Sequence, residues 1–181
     1  MSRFQPHLIR FCLRAFATEA ERPISHKFLR VLLNALTAID VYYLRANPGC
    51  PPLYSSGVRY EEEPIGQEDW CEIQTVLQQG WGDCEDLACW RCAEIIVKGE
   101  RARAHDPSAP AVHSLPIFRW RRLNESTTLY HILCLHDIAG KRTIEDPSRI
   151  LGMGSQPSQY TQLVRRPPLL SAAGWPPVWA A

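Results

Sequence analysis

The spacing of the hydrophobic residues changes near residue 116, and this change constrains the fold more than any other feature of the chain. Before it, residues 26–46 place leucine, isoleucine and tyrosine side chains three or four positions apart, which predicts an amphipathic helix. After it, residues 116–122 alternate aromatic and basic side chains, which is the two-residue period of a strand. Helices followed by antiparallel strands indicate an α+β domain.

The remaining elements are predicted from shorter patterns and from turn residues. Gly80-Trp81-Gly82 interrupts the helical spacing, and Asp83 is placed to cap the helix that follows. The predicted elements are helices over 67–79 and 84–99, a short strand over 57–60, strands over 128–136 and 141–145, and exposed connections over 49–57 and 100–115. We therefore expect the helices to pack on a small antiparallel sheet.

Length and composition indicate one globular domain with two flanking segments. The chain has 181 residues, of which 45% are hydrophobic, and this is enough for a core without cross-links. We divide it into an N-terminal segment (1–25), a domain (26–153) and a proline-rich tail (154–181). The net charge of +1 gives no general reason to expect nucleic acid or a membrane as a partner. Seven cysteines without a secretory signal pattern predict reduced thiols and a cytoplasmic location, with a mitochondrial transit peptide over residues 1–18 as the alternative.

Cys84 is the cysteine whose surroundings suggest chemistry. It follows a glycine-containing break and opens a helix, where unpaired backbone N–H groups favour a thiolate and can hold an oxyanion. Asp83, Glu85 and Asp86 act in the opposite direction, because negative charge beside a thiol raises its pKa. A neighbouring imidazolium is therefore needed to ionise this sulfur.

A histidine and a carboxylate later in the chain can complete such a site. His131 lies in the predicted strand 128–136, on the face expected to pack on the helices, whereas His136 is expected at the surface. Asp146 ends the next strand, and pairing of the two strands would bring its carboxylate beside the His131 ring. We therefore predict Cys84 as nucleophile, His131 as base and Asp146 as the group that orients the base.

Three short motifs occur in an order that is known from one superfamily. They are Gly82-Asp83-Cys84 with Asp86-Leu87-Ala88, then Tyr130-His131, then Glu145-Asp146-Pro147-Ser148. This order resembles the transglutaminase-like superfamily, whose papain-like α+β fold packs the cysteine helix on a small antiparallel sheet. A wider pattern, from Tyr54 to Tyr60 and from Asp146 to Met153, is similar to transglutaminase-like proteins of tailed phages and prophages. The resemblance covers residues 26–153 and implies the same nucleophile, base and orienting residue.

The resemblance also implies a reaction. It predicts a cysteine peptidase or amidase that forms a thioester on Cys84 and hydrolyses it, or a transglutaminase if an amine resolves the thioester. Hydrolysis is expected because water needs no second binding site. Gln78, six residues before Cys84, matches the oxyanion-hole glutamine of papain-like peptidases, and Gln79 and Trp81 are competing candidates. The expected substrate is a protein or peptide, the expected location is cytoplasmic or virion-associated, and neither a cofactor nor a metal is implied.

Two other interpretations stay open at the level of sequence. A non-catalytic phage structural or assembly protein could use the same fold, with other virion proteins as partners and the tail as a docking arm. A metal-binding protein could use Cys84, Cys89, Cys92 and Cys134, whose spacing matches plant-type ferredoxin ligands, or bind zinc with the last three and His131. Thiols along one continuous helix spread over a wide arc, which argues against a cluster.

Overall fold

The structure of the protein is a computed structural model that describes residues 22–64, 68–123 and 128–155. The described elements are α1 (Arg22–Ala46), β1 (Arg59–Tyr60), α2 (Ile73–Gln79), β2 (Trp81–Gly82), α3 (Cys84–His105), β3 (Val112–Arg122), β4 (Thr128–Ile138), β5 (Lys141–Glu145) and α4 (Pro147–Ile150). This mixture of helix and sheet agrees with the predicted α+β class. Most of the predicted N-terminal segment and nearly all of the predicted tail lie outside the described residues.

The larger sheet is an antiparallel meander in the order β3-β4-β5. β3 pairs with the whole of β4, with Ser114 opposite His136 and Arg119 opposite His131. β5 is shorter, and its last residue, Glu145, lies opposite Cys134. β5 therefore ends before it reaches the N-terminal half of β4, where His131 lies.

Helix α3 is central because it packs on α1, on β3 and on β4. One buried cluster joins α3 to α1, α2 and the 53–58 loop, and Trp90 at its centre is fully buried. A second cluster joins Leu33 of α1, Ala88 and Cys89 of α3, and Ile132 of β4. Each fully buried large apolar side chain contributes about 1.5–3 kcal/mol. Burial on both sides of α3 thus fixes the start of this helix against β4.

Several element boundaries differ from the predicted ones. α2 begins at Ile73 instead of residue 67, because Glu72 caps it by accepting the backbone N–H of Thr75. The predicted exposed connection over 100–115 was wrong at both ends, since α3 continues to His105 and β3 begins at Val112. The arginine- and alanine-rich end of α3 has little apolar pattern, but these residues favour helix intrinsically. Trp81 and Gly82 form β2, which pairs in parallel with β1.

Gly99 lies where α3 approaches β3 most closely. A Cβ atom at this position would lie 2.7 Å from Cβ of Val112 and 2.9 Å from its Cγ2. We expect Gly99→Ala to lower the free energy of unfolding by about 1–3 kcal/mol, because overpacking exceeds the gain in helix propensity. Urea denaturation measures the change. Val112→Ala keeps Cβ but removes Cγ1 and Cγ2, so Gly99→Ala should cost less in a Val112→Ala background than in the parent protein. A Gly99→Ala variant as stable as the parent protein would contradict the expectation.

Candidate active site

Cys84 opens α3, and its sulfur lies against strand β4. The first turn is fixed by a capping box, in which the Asp83 side chain accepts the backbone N–H of Asp86 and the Asp86 side chain accepts that of Asp83. Cys84 packs against the buried cluster that contains Ile132, the residue after His131. β5 ends opposite Cys134, so residues 128–133 of β4 are not paired with β5. The start of α3 can therefore approach this half of β4.

His131 and Asp146 are in direct contact. Nε2 of His131 lies 2.9 Å from Oδ2 of Asp146. Asp146 follows the last residue of β5 and is therefore a diagonal neighbour of His131 on the same face of the ladder. Oδ1 of Asp146 accepts the backbone N–H of Arg149, because Asp146 also caps α4. The carboxylate is thus held from two sides.

The charge state of Asp146 assigns the roles of the two ring nitrogens. Burial raises the pKa of Asp146, but the hydrogen bond from His131, the charge of that ring and the contact with Arg149 offset burial and leave the pKa below its usual value. An ionised carboxylate only accepts hydrogen bonds, so Nε2 of His131 carries a proton. Nδ1 is then the nitrogen that can take a proton from a nucleophile.

The Cys84 thiol is surrounded by carboxyl groups. Burial raises the pKa of Cys84 well above its usual value, the charges of Glu85 and Asp83 raise it further, and the Ile132 N–H lowers it. The thiol donates a hydrogen bond to Oε2 of Glu85, which lies 3.3 Å from Sγ. Burial also raises the pKa of Glu85, to about 8. The resting sulfur is therefore a thiol, and a base has to remove its proton when it reacts.

The predicted oxyanion-hole residues occupy different environments. Gln78 is exposed on α2, and Trp81 is half-buried in β2. The side-chain amide of Gln79 donates to the carbonyl oxygen of Trp81 at 2.8 Å, so this competitor is held by the backbone. The backbone N–H groups of the first turn of α3 lie in the same segment as Cys84, so they are also candidates for the oxyanion hole.

His136 was wrongly predicted to lie at the surface. It is 4% exposed and lies on the face of β4 that carries Ile132 and Cys134, which pack on the helices. His131 is on the opposite face, so the face predicted to meet the helices was also wrong. The sequence misled here because Leu133 is as buried as Ile132, which hides the two-residue pattern of β4.

Glu145 forms the centre of a polar network that sequence reasoning missed. Its Oε2 lies 2.9 Å from Nε2 of His136, and its Oε1 accepts from Arg91 at 3.0 Å and from the hydroxyl of Tyr54. Nδ1 of His136 in turn lies 2.8 Å from Oγ of Ser114. The contact with His136, opposed by burial and helped by Tyr54 and Arg91, lowers the pKa of Glu145 to about 2. The network fixes the end of β5, one residue before Asp146.

The cysteines of the alternative metal site are used in packing. Sγ of Cys89 donates to the carbonyl oxygen of Leu33 at 3.4 Å, and Sγ of Cys134 donates to that of Ala88 at 3.3 Å. Cys92 is buried in the same cluster. Among the described residues, the one group of three or more ligand side chains close enough to share an ion contains carboxylates alone. The geometry therefore does not bring the cysteines together as metal ligands.

Comparison with known proteins adds no relative from which a function could be transferred. No protein-family model matches the chain, and neither do any curated protein or any solved structure. In the part of the chain that the structure describes, no helix combines the length and the apolar character needed to cross a bilayer.

Proposed function

We propose that the protein is a thiol-dependent acyl-transfer enzyme with a transglutaminase-like, papain-like core, and that it acts as a cysteine peptidase or amidase. Cys84 is the nucleophile, His131 the base and Asp146 the residue that orients the base. The main support is the 2.9 Å contact between His131 and Asp146, together with the packing of Cys84 on the cluster that contains Ile132, the residue after His131. The resting Cys84 thiol itself donates to Glu85 and not to His131. The order of the motifs along the chain supports the same assignment.

The proposed reaction begins with a neutral thiol. Because Asp83 and Glu85 disfavour the thiolate, Nδ1 of His131 takes the proton of Cys84 while the sulfur attacks the carbonyl carbon of a protein or peptide substrate. The C–S bond forms, and the carbonyl electron pair moves onto oxygen. Backbone N–H groups at the start of α3, with Gln78 or Trp81, stabilise this oxyanion.

Collapse of the intermediate expels the amine and leaves a thioester on Cys84. The imidazolium of His131, stabilised by Asp146, protonates the leaving amine. Water then attacks the thioester while His131 takes its proton, and the acid is released as the thiol re-forms. An amine in place of water would give a new amide, which is the transglutaminase outcome.

Acylation by p-nitrophenyl acetate tests the nucleophile without knowledge of the natural substrate. We expect an acetyl group on Cys84 that hydroxylamine removes, and Cys84→Ala should abolish it, as measured by mass spectrometry of the intact protein and its peptides. Cys50→Ala and Cys71→Ala are matched controls, because these cysteines are also half-buried and burial raises their pKa to about 11 and about 12. Both controls should acetylate like the parent protein. Acetylation that persists in Cys84→Ala would contradict the assignment and favour a structural or assembly role.

A further inference from the structure

Carboxylate oxygens of Glu63, Glu68 and Asp83 meet beside the start of α3. These oxygens lie within 4.8 Å of one another. Two of the three side chains are held by the backbone: Glu63 accepts the N–H of Asp69 at 2.8 Å, and Asp83 is part of the capping box of α3. Glu63 and Asp83 are buried, whereas Glu68 is exposed. The cluster is therefore anchored on its inner side and accessible on its outer side.

Two carboxylate oxygens at this cluster are buried without a hydrogen-bond donor. They are Oδ1 of Asp83, a residue that is 8% exposed, and Oε1 of Glu85, a residue that is 4% exposed. The other oxygen of Glu85, Oε2, accepts a hydrogen bond from the Cys84 thiol. Buried oxygens of this kind are costly unless a donor or a cation meets them. The orphaned oxygens thus point to a ligand with positive charge.

Three of these acids lack an ion pair in the described part of the chain. Within the described residues, no lysine, arginine or histidine forms an ion pair with Glu68, Asp83 or Glu85. Asp86 adds a further carboxylate next to Asp83, although the N–H groups of Cys71 and Asp83 bind its oxygens. A cation placed between the carboxylates would relieve both their repulsion and the missing hydrogen bonds.

We propose that Glu63, Glu68 and Asp83, supported by Glu85, bind a hard divalent cation, with Ca²⁺ as the expected ion. A set of ligands made of oxygen alone favours Ca²⁺ or Mg²⁺ over the softer transition metals. Oxygens on opposite sides of Ca²⁺ are roughly 5 Å apart, which accommodates the separations of up to 4.8 Å found in the cluster. Ca²⁺ accepts several carboxylates, whereas Mg²⁺ keeps more of its water and binds one or two. Ion binding needs no substrate to be measured, so it can be tested separately from the proposed acyl transfer.

Terbium luminescence and calorimetry test this site in the full-length protein. Tb³⁺ binds oxygen sites like those of Ca²⁺, and tryptophans sensitise it; Trp70 lies two residues after Glu68, and Trp81 lies two residues before Asp83. We expect saturable Tb³⁺ luminescence that Ca²⁺ competes away. Glu68→Gln and Asp83→Asn should each weaken Ca²⁺ binding by about tenfold or more, because substitutions of residues that support a metal site typically cost at least that much affinity. Both variants should fold, because Glu68 is exposed and asparagine also caps helices.

The matched control is Glu61→Gln, which removes an exposed negative charge two residues from Glu63. It should leave the Ca²⁺ affinity unchanged within about twofold, because a screened surface charge contributes little. The proposal would be overturned if neither Tb³⁺ nor Ca²⁺ bound saturably at millimolar concentrations. A proton shared by the carboxyl groups of Asp83 and Glu85 would then account for their buried oxygens. Binding that both cluster variants retain in full would also overturn the proposal, as would saturation by n-butylammonium without any by Ca²⁺, which would identify an amine site.

Discussion

Replacement of His131 by alanine is expected to slow acetylation of Cys84 by p-nitrophenyl acetate about 10²–10⁴-fold. A positioned base contributes this much when it removes a proton in the transition state. The effect should be large here because burial and the carboxyl groups of Asp83 and Glu85 keep the sulfur protonated. The rate is measured from the release of p-nitrophenolate at one fixed pH, with circular dichroism to check that the variant is folded.

His113→Ala is the matched control, because His113 is an exposed histidine on the neighbouring strand. It should acetylate at the rate of the parent protein. A His131→Ala variant that also keeps the parent rate would contradict the role of His131 as base, even if Cys84 is the residue that is acetylated.

Asp146 is expected to act only through His131. Asp146→Ala and Asp146→Asn should both slow acetylation strongly. The single amide oxygen of asparagine cannot accept from both Nε2 of His131 and the Arg149 N–H, and neither side chain stabilises the imidazolium by charge. The His131→Ala/Asp146→Ala double variant should be about as slow as His131→Ala, since residues that act as a unit are not additive. Additive losses would argue for an independent role of Asp146.

Glu145→Gln is expected to lower the free energy of unfolding by about 2–3 kcal/mol at pH 7. The contact with His136, opposed by burial and helped by Tyr54 and Arg91, lowers the pKa of Glu145 from 4.5 to about 2. A difference of this size corresponds to about 3 kcal/mol. Because the folded-state pKa is the lower one, the stabilisation is complete above about pH 5 and is lost as the pH falls toward 2. Urea denaturation between pH 2 and pH 7 should therefore show a flatter acid limb for Glu145→Gln.

Glu100→Gln is the control for this prediction. Glu100 also pairs with an arginine, Arg45, but both side chains are about half exposed, so water screens the pair and the loss should be small. Equal losses for the two variants, or an unchanged acid limb in Glu145→Gln, would mean that the buried network does not stabilise the fold in the way described.

The local features of the site were predictable from sequence. The break at Gly80-Trp81-Gly82 and the capping residue Asp83 placed Cys84 at the first residue of α3, which is where the structure has it. The turn after β4 and the short strand 141–145 predicted the pairing that brings Asp146 to His131. These features depend on residues close in sequence, and hydrogen bonding between neighbouring residues largely fixes them.

Contacts between distant segments were predicted less well. The surroundings of His136 depend on Arg91 in α3 and on Tyr54, which lie far from it in the chain and meet it only through Glu145. Burial of β4 on both faces removed the alternation that would have told the two histidines apart. The acidic cluster was equally hidden, because Glu63 and Glu68 precede Asp83 by an intervening helix and a strand.

The sequence by itself determined the α+β class, the position of Cys84 at a helix start, and the order of a cysteine, a histidine and a carboxylate along the chain. These follow from the spacing of apolar residues and from capping and turn chemistry, which act over a few residues. Only the tertiary structure decided that His136 is buried against Glu145 and which acids gather beside the thiol. Those contacts follow from the packing of α3 across β4. The burial of apolar surface that drives this packing is not directional, so its geometry depends on how all the core side chains fit together and not on a local pattern.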